Sequence, residues 1–442
     1  MNKVRTRALS LFLLVAVAIV GMGFYVGRYI VFGGDWAAAP FNATVFRGGV
    51  LAVGEVRDRN GVVLAGITDG RRTFADSGEV RRATLHAVGD KDGNIGTGAL
   101  SVFAPELMGF NLITGSYSMT SASREISLTI DSRLNAVALN ALDGRRGVVM
   151  VSNYKTGEIL CMVSSPTFDP ASPPENVDTP ALEGVYVNRA IQSAFTPGST
   201  FKILTAAAAL EQVSRIYERT FTCTGSMQVG NDTLICPGEH GTIGIERGMQ
   251  VSCNIVFGEL ALEMGANTMA EYAAKYRLSE RTTVSGIQTA RGNFDRAESN
   301  SVNLAWSGVG QYTNTVCPAT MLRFVGAIAN DGNAVGLHYI KQAGLTAVIP
   351  TRTERVLSRS TAEGLSQIIE IQNRQNFPGL EIYAKSGTAQ VGGGKDPHAW
   401  YVGYITNANY PLAFVVMVEN GGGGTAVAAP IANRVLQAAV NN

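Results

Sequence analysis

This sequence has almost no net charge: 36 Lys and Arg against 35 Asp and Glu leave it at +1. A protein that grips a phosphate backbone concentrates basic residues, so nucleic acid is excluded as a partner. Histidine is scarce as well. The four residues, His86, His240, His338 and His398, are dispersed, and no Cys/His spacing resembles a zinc site. Low complexity is lacking too, because the 50 glycines are scattered through loops and turns without a repeat. Cysteine is few and odd in number: Cys161, Cys223, Cys236, Cys253 and Cys317. Cys161 lies in an apolar run and reads as a buried thiol, and Cys253 as a packing side chain.

The one long apolar run is at the start. Lys3, Arg5 and Arg7 precede an uncharged stretch, Ala8 to Gly27. About twenty apolar residues cross a bilayer as a helix, and a basic flank stays on the cytoplasmic side. A cleaved signal peptide ending near Ala37-Ala-Ala39 is the competing reading. The run is longer than a usual signal core, and those alanines lie beyond Arg28 and Asp35. The sequence therefore reads as a cytoplasmic tail (1–7), an uncleaved single-pass anchor (8–27) and an exported body in an oxidising compartment. There Cys223 and Cys236, which flank a turn-rich hairpin-like segment, have the placement for a local disulfide.

Residues 40–125 carry short β-like runs, 50–53 and 61–64, broken by Gly, Asp and Asn, with no long amphipathic helix, and read as a small β-rich module. From 126 to 442 the character changes. Glu125 to Asp131 alternates like a strand, and Leu134 to Leu142 has helical spacing. Gly147 to Val151 and Ile159 to Val163 read as a hairpin, His398 to Ile405 and Leu412 to Val418 as a second, and Ala428 to Val440 as a closing helix. Strands at both ends with helices between them predict an α+β domain, one antiparallel sheet covered by a helical lobe.

Three motifs carry chemistry. Ser199 follows Thr196-Pro-Gly198 and precedes strong helix formers, which puts it on the first turn of a buried helix, where unpaired N–H groups favour an oxyanion. Lys202, one turn on, reaches its hydroxyl and acts as a base if burial or a cation lowers its pKa. Ser252 and Asn254 sit in a loop between helical segments, suited to relaying a proton and holding an amide. Lys385-Ser-Gly-Thr388 reads as an edge strand: Gly387 permits close approach, the N–H of Thr388 completes an oxyanion hole with that of Ser199, and Lys385 with the Ser386 and Thr388 hydroxyls binds a carboxylate. Each alone has an ordinary reading, as a helix cap, a loop serine or an exposed strand lysine. In this order they resemble the Ser-x-x-Lys, Ser-Asx-Asn and Lys-Thr-Gly set of β-lactamases and penicillin-binding proteins.

With those residues in place the chain resembles the class B penicillin-binding proteins, in a short form similar to penicillin-binding protein A. The likeness extends to Asp58-Arg-Asn-Gly61, Leu128-Thr-Ile-Asp131, Thr156-Gly-Glu-Ile159, Ser165 to Pro170, Asn188-Arg-Ala190, Gly308-Val-Gly-Gln311, Ala327 to Asn330 and Trp400-Tyr-Val-Gly403. Val53 departs from the usual Arg, and Cys317-Pro318 replaces a common Thr-Pro. The resemblance implies a small pedestal before a penicillin-binding domain and a D,D-transpeptidase that cross-links peptidoglycan stem peptides through Ser199 and is acylated by β-lactams. It also implies neither metal nor organic cofactor, and a membrane-embedded glycan polymerase as partner. The alternatives are a D,D-carboxypeptidase or β-lactamase-like hydrolase on the same scaffold, or a non-catalytic β-lactam-binding scaffold.

Overall fold

An apolar helix, α1 (Asn2–Ala37), opens the computed structural model, which describes residues 2–37, 54–69, 71–108, 110–111, 116–117, 125–341, 351–369, 371–372 and 380–441. Its stretch Val4–Val31 is long and apolar enough to cross a membrane, and none of it is buried against the protein. The expected 8–27 span lies inside it. The run 50–53 and the Val53 departure fall outside the described residues.

The small module is built on β1 (Glu55–Arg57), β2 (Val63–Thr68) and β3 (Arg71–Phe74), with β4 (Glu125–Ser127) parallel to β1 at the other edge. The boundary placed at residue 126 therefore cuts a strand of this sheet. Between them lies α2 (Gly78–Val88), capped by Ser77. No long helix was expected here, because the buried side of α2 mixes Ala83, Thr84, His86 and Ala87 with Leu85 and Val88, and this mixture dilutes the apolar periodicity.

Asp58 joins the module to the body. It is buried, and its carboxylate accepts from the backbone of Asn60 and Val62 on one side and from the N–H and hydroxyl of Ser132 on the other. Ser132 starts α3 (Ser132–Leu142), whose cap is Asp131. One carboxylate thus closes a turn and anchors a helix start, which gives the Asp-Arg-Asn-Gly motif a structural reason.

The body is a six-stranded antiparallel sheet. Within it β5 (Gly147–Asn153) pairs with β12 (Leu412–Val418), so the first and last strands of the domain lie side by side. β6 (Ile159–Ser165) flanks β5; β11 (His398–Ile405), β10 (Ile382–Ala389) and the short β9 (Ile371–Gln372) continue beyond β12. Helices α3 and α8 (Ala429–Val440) pack on one face, α7 (Pro318–Ala329) on the other, and the strands are apolar on both sides for that reason. The helical lobe carries α4 (Lys202–Gln212), the hairpin β7 (Phe221–Val229) and β8 (Asp232–Ile243), then α5 (Ile245–Gln250) and α6 (Asn254–Lys275).

Candidate active site

Ser199 lies in a 3-10 turn, Gly198–Phe201, that runs directly into α4. The turn is held from three directions. Gly198, at φ +53, donates its N–H to the Gly310 carbonyl at 3.0 Å, and the indole N–H of Trp400 donates to the Thr196 carbonyl at 2.9 Å. Thr200 donates back to Pro197 O at 2.9 Å. Ser199 itself is half-buried, at the mouth of the cleft. From Lys202 to Ala209 every residue of α4 is buried, as the run of strong helix formers implied.

Lys202 is fully buried, and its ammonium donates to Ser252 O at 2.5 Å, Asn254 Oδ1 at 2.8 Å and Ser252 Oγ at 3.2 Å. Among the described residues its partners are these three acceptors and not the Ser199 hydroxyl. Burial, and then the nearby Lys385 cation, hold its pKa well below the ordinary lysine range. The Ser252–Asn254 loop between α5 and α6 has Ser252 at φ +56, a left-handed conformation that costs a non-glycine residue about 1 kcal/mol or more and persists only where its surroundings enforce it. Here they do: Cys253 N donates to Gly248 O, and the Asn254 side-chain amide donates to Ile235 O on β8 at 2.8 Å.

Lys385 comes from the third motif, on β10. It is buried, and it donates to Ser252 Oγ at 2.9 Å and to Ser386 O at 2.9 Å. Two lysine ammonium groups therefore converge on one serine hydroxyl. Strand alternation puts Ser386 and Thr388 on the face opposite Lys385, with Ser386 half-buried and Thr388 exposed. The expected edge strand is an edge only in part, since β9 pairs with Ile382 and Tyr383, and among the described residues no strand pairs with Lys385 to Ala389 on that side. Gly387 brings the strand against the nucleophile turn: a Cβ there would lie 2.8 Å from Pro197 O and 2.9 Å from Thr200 Cγ2.

Hydrogen bonds thus join Lys202, Ser252, Asn254 and Lys385, and Gly387 packs against the turn that carries Ser199, while Ser386 and Thr388 lie on the other face of β10. Three contributors were missed. Trp400 belongs to a quoted motif but had no assigned role; Gly424, whose N–H donates to Thr388 Oγ1 at 3.3 Å, comes from a glycine-rich turn with no chemical signature. The third is a set of thiols beside Asn254: Cys223 and Cys236 are free, and the hairpin gathers them with His240 and Cys253 instead of presenting an isolated pair.

Comparison with known proteins gives the same assignment. The family model described as "Penicillin binding protein transpeptidase domain" matches residues 147–437. The peptidoglycan D,D-transpeptidase PbpA of Mycobacterium tuberculosis is 27% identical over 355 residues, covering 71% of this chain and 72% of that protein. A D,D-transpeptidase domain from Eggerthella lenta superposes with a TM-score of 0.75 at 25% identity, over 88% of this chain and 98% of that one. The penicillin G acyl-enzyme complex of M. tuberculosis penicillin-binding protein A gives 0.74 at 25% identity, over 88% and 100%.

Proposed function

This chain belongs to the penicillin-binding protein transpeptidase family, in its class B branch, and on that premise we propose the role of each residue in the cleft. The chain is a serine D,D-transpeptidase of peptidoglycan synthesis that β-lactams acylate. Ser199 Oγ attacks the carbonyl of the penultimate D-alanine of a stem peptide, and D-alanine leaves. An amine from a neighbouring stem then attacks the acyl-enzyme and frees Ser199. Lys202, whose pKa burial and the Lys385 charge hold below the ordinary lysine range, takes the serine proton. Ser252 passes a proton to the leaving amine, because its hydroxyl lies within hydrogen-bond distance of both lysines. The N–H groups of Ser199 and Thr388 stabilise the oxyanion. Asn254 holds Lys202, and Lys385 supplies the charge that attracts the substrate carboxylate, a position that Ser386 and Thr388 on the opposite face of β10 do not share.

The observation that carries this reading is the buried Lys202 amine one turn from Ser199, wired to Ser252 and Asn254. The reading divides the chain into an anchor (8–27), a pedestal (40–125) and a transpeptidase domain (126–442), with the last strand of the pedestal sheet, Glu125–Ser127, running across the second boundary. The basic residues before the apolar helix support a cytoplasmic N-terminus with the catalytic domain outside. A membrane-embedded glycan polymerase, contacting the anchor and pedestal, is the partner this arrangement suits. The test is labelling of the full chain in detergent with a fluorescent penicillin, with adduct lifetime followed by intact mass. A stable adduct on wild type and none on Ser199→Ala is expected. Rapid release of the adduct would turn the reading to a hydrolase, and no adduct on folded wild type would overturn it.

A further inference from the structure

Cys223, Cys236, His240 and Cys253 point one ligand atom each into a common space, with all four atoms within 4.8 Å of one another. The three cysteines are almost fully buried, and His240 is half-buried on the outer side. Cys236 Sγ lies 3.9 Å from Cys253 Sγ, and His240 Nδ1 lies 3.5 Å from both Cys223 Sγ and Cys236 Sγ. With Zn–S bonds of about 2.3 Å and Zn–N bonds of about 2.0 Å, a regular tetrahedron sets S···S near 3.8 Å and S···N near 3.5 Å. Three of the six edges match that tetrahedron, and the other three are no longer than 4.8 Å. A disulfide would need two sulfurs about 2 Å apart, whereas the Cys236–Cys253 spacing is nearly double that.

The backbone is shaped for the same purpose. β7 and β8 pair regularly from Asp232 to Ile235, then slip twice. The first irregularity, between Ile235 and Glu239, contains Cys236; the second, between Glu239 and Gly241, contains His240. Bulges re-aim side chains, and these two turn Cys236 and His240 toward Cys223. The fourth residue arrives from the loop beyond α5, between Ser252 and Asn254.

We propose that Cys223, Cys236, His240 and Cys253 bind a structural zinc ion that clamps the Ser252–Asn254 loop to the β7–β8 hairpin. Binding Zn²⁺ displaces three thiol protons and leaves His240 neutral, coordinating through Nδ1. No coordination position is left open, so the ion takes no part in the reaction. It acts by position: Cys253 is fixed between two residues of the proton network, and Cys236 Sγ accepts from the N–H of Asn254 at 3.3 Å. The site escapes a spacing search because its ligands come from two strands and a distant loop, and Cys236 and His240, four residues apart, give the only local signal.

The zinc content of the full chain, purified in detergent without a metal-affinity step, decides the matter. Wild type and Cys161→Ser, which lies outside the cluster, should carry about one zinc per chain; Cys223→Ser and His240→Ala should carry little. Wild type loaded with Co²⁺ should show the thiolate-to-cobalt charge-transfer band and the intense visible bands of a tetrahedral site. That measurement holds even if a cysteine variant fails to fold. Wild type with no zinc and no such spectrum, or an intact mass showing a disulfide within the cluster, would overturn the proposal. So would zinc retained by both variants. The effect on catalysis rests on the transpeptidase reading: His240→Ala should slow penicillin acylation roughly 100-fold through misplacement of the loop. Ser199→Ala, blocked in acylation, should keep its zinc, so the two readings fail separately.

Discussion

Lys202 concentrates the chemistry of the site in one side chain. A lysine with no exposed surface loses the hydration that favours its ammonium form, and a second lysine sharing the Ser252 hydroxyl adds repulsion. Both act in one direction, away from the ammonium form and toward an amine that can accept a proton. Lys202→Met separates this function from folding. It should lower the penicillin acylation rate by roughly 10²- to 10⁴-fold, the range for losing a general base. Thermal unfolding should change by only a few degrees, because an apolar side chain of similar length replaces a buried polar amine whose desolvation is costly. Acylation near the wild-type rate would remove Lys202 as the base. At this scale the sequence was most legible: Ser199, Lys202, Ser252, Asn254 and Lys385 carry side chains whose chemistry announces itself in order along the chain. His240 was not legible, since a lone histidine acquires meaning only when a hairpin slips its register beside three thiols.

The elements hold these residues in place through backbone contacts. β10 runs against the nucleophile turn so closely that two glycines occupy the contact: a Cβ on Gly198 would lie 2.8 Å from Thr388 O, and one on Gly387 would meet Pro197 O and Thr200. Gly424 crosses the other side, where a Cβ would lie 2.4 Å from Gly387 O. The oxyanion hole proposed between Ser199 and Thr388 depends on this spacing. Gly387→Ala should therefore push the strand off the turn and reduce acylation roughly 100-fold, the order expected for an ångström of misplacement. The two central hairpins should stay intact, as read by circular dichroism; acylation at the wild-type rate would show that the contact has slack. Those hairpins were legible because apolar strands of seven or eight residues bounded by turn residues leave few alternatives. The closing of the cleft was not, because what brings β10 to α4 is the absence of side chains at Gly198, Gly387 and Gly424, and the sequence does not say which of many glycines face another backbone.

Across the whole molecule, the pedestal is joined to the catalytic domain by polar contacts buried between them. Asp58 spans the join near α3, the Arg81 guanidinium pairs with Asp169 through two hydrogen bonds of 2.6 Å, and Tyr339 donates its hydroxyl to Thr97 O at 2.7 Å. His86 is the contact most sensitive to acid. It is 2% exposed, and its Nε2–H donates to the Val185 carbonyl at 2.7 Å. Burial lowers its pKa from 6.5 to about 4; the Val185 carbonyl opposes that shift in part, and the Arg189 charge adds to it. The folded protein thus keeps His86 neutral while the unfolded chain takes up a proton as the pH drops below about 6.5. Stability from this residue is fully present above that pH and declines until about pH 4, where the folded form is also protonated. The loss over that window is about 3 kcal/mol, from 1.36 kcal/mol per pKa unit. His86→Gln retains an N–H donor for Val185 and removes the titration. Thermal unfolding of the full chain in detergent, compared at pH 7 and pH 4.5, should show a steeper loss for wild type than for His86→Gln. Parallel declines would mean that the pedestal joint does not sense acid through His86, and that the carboxylate pairs across the joint set the limit instead.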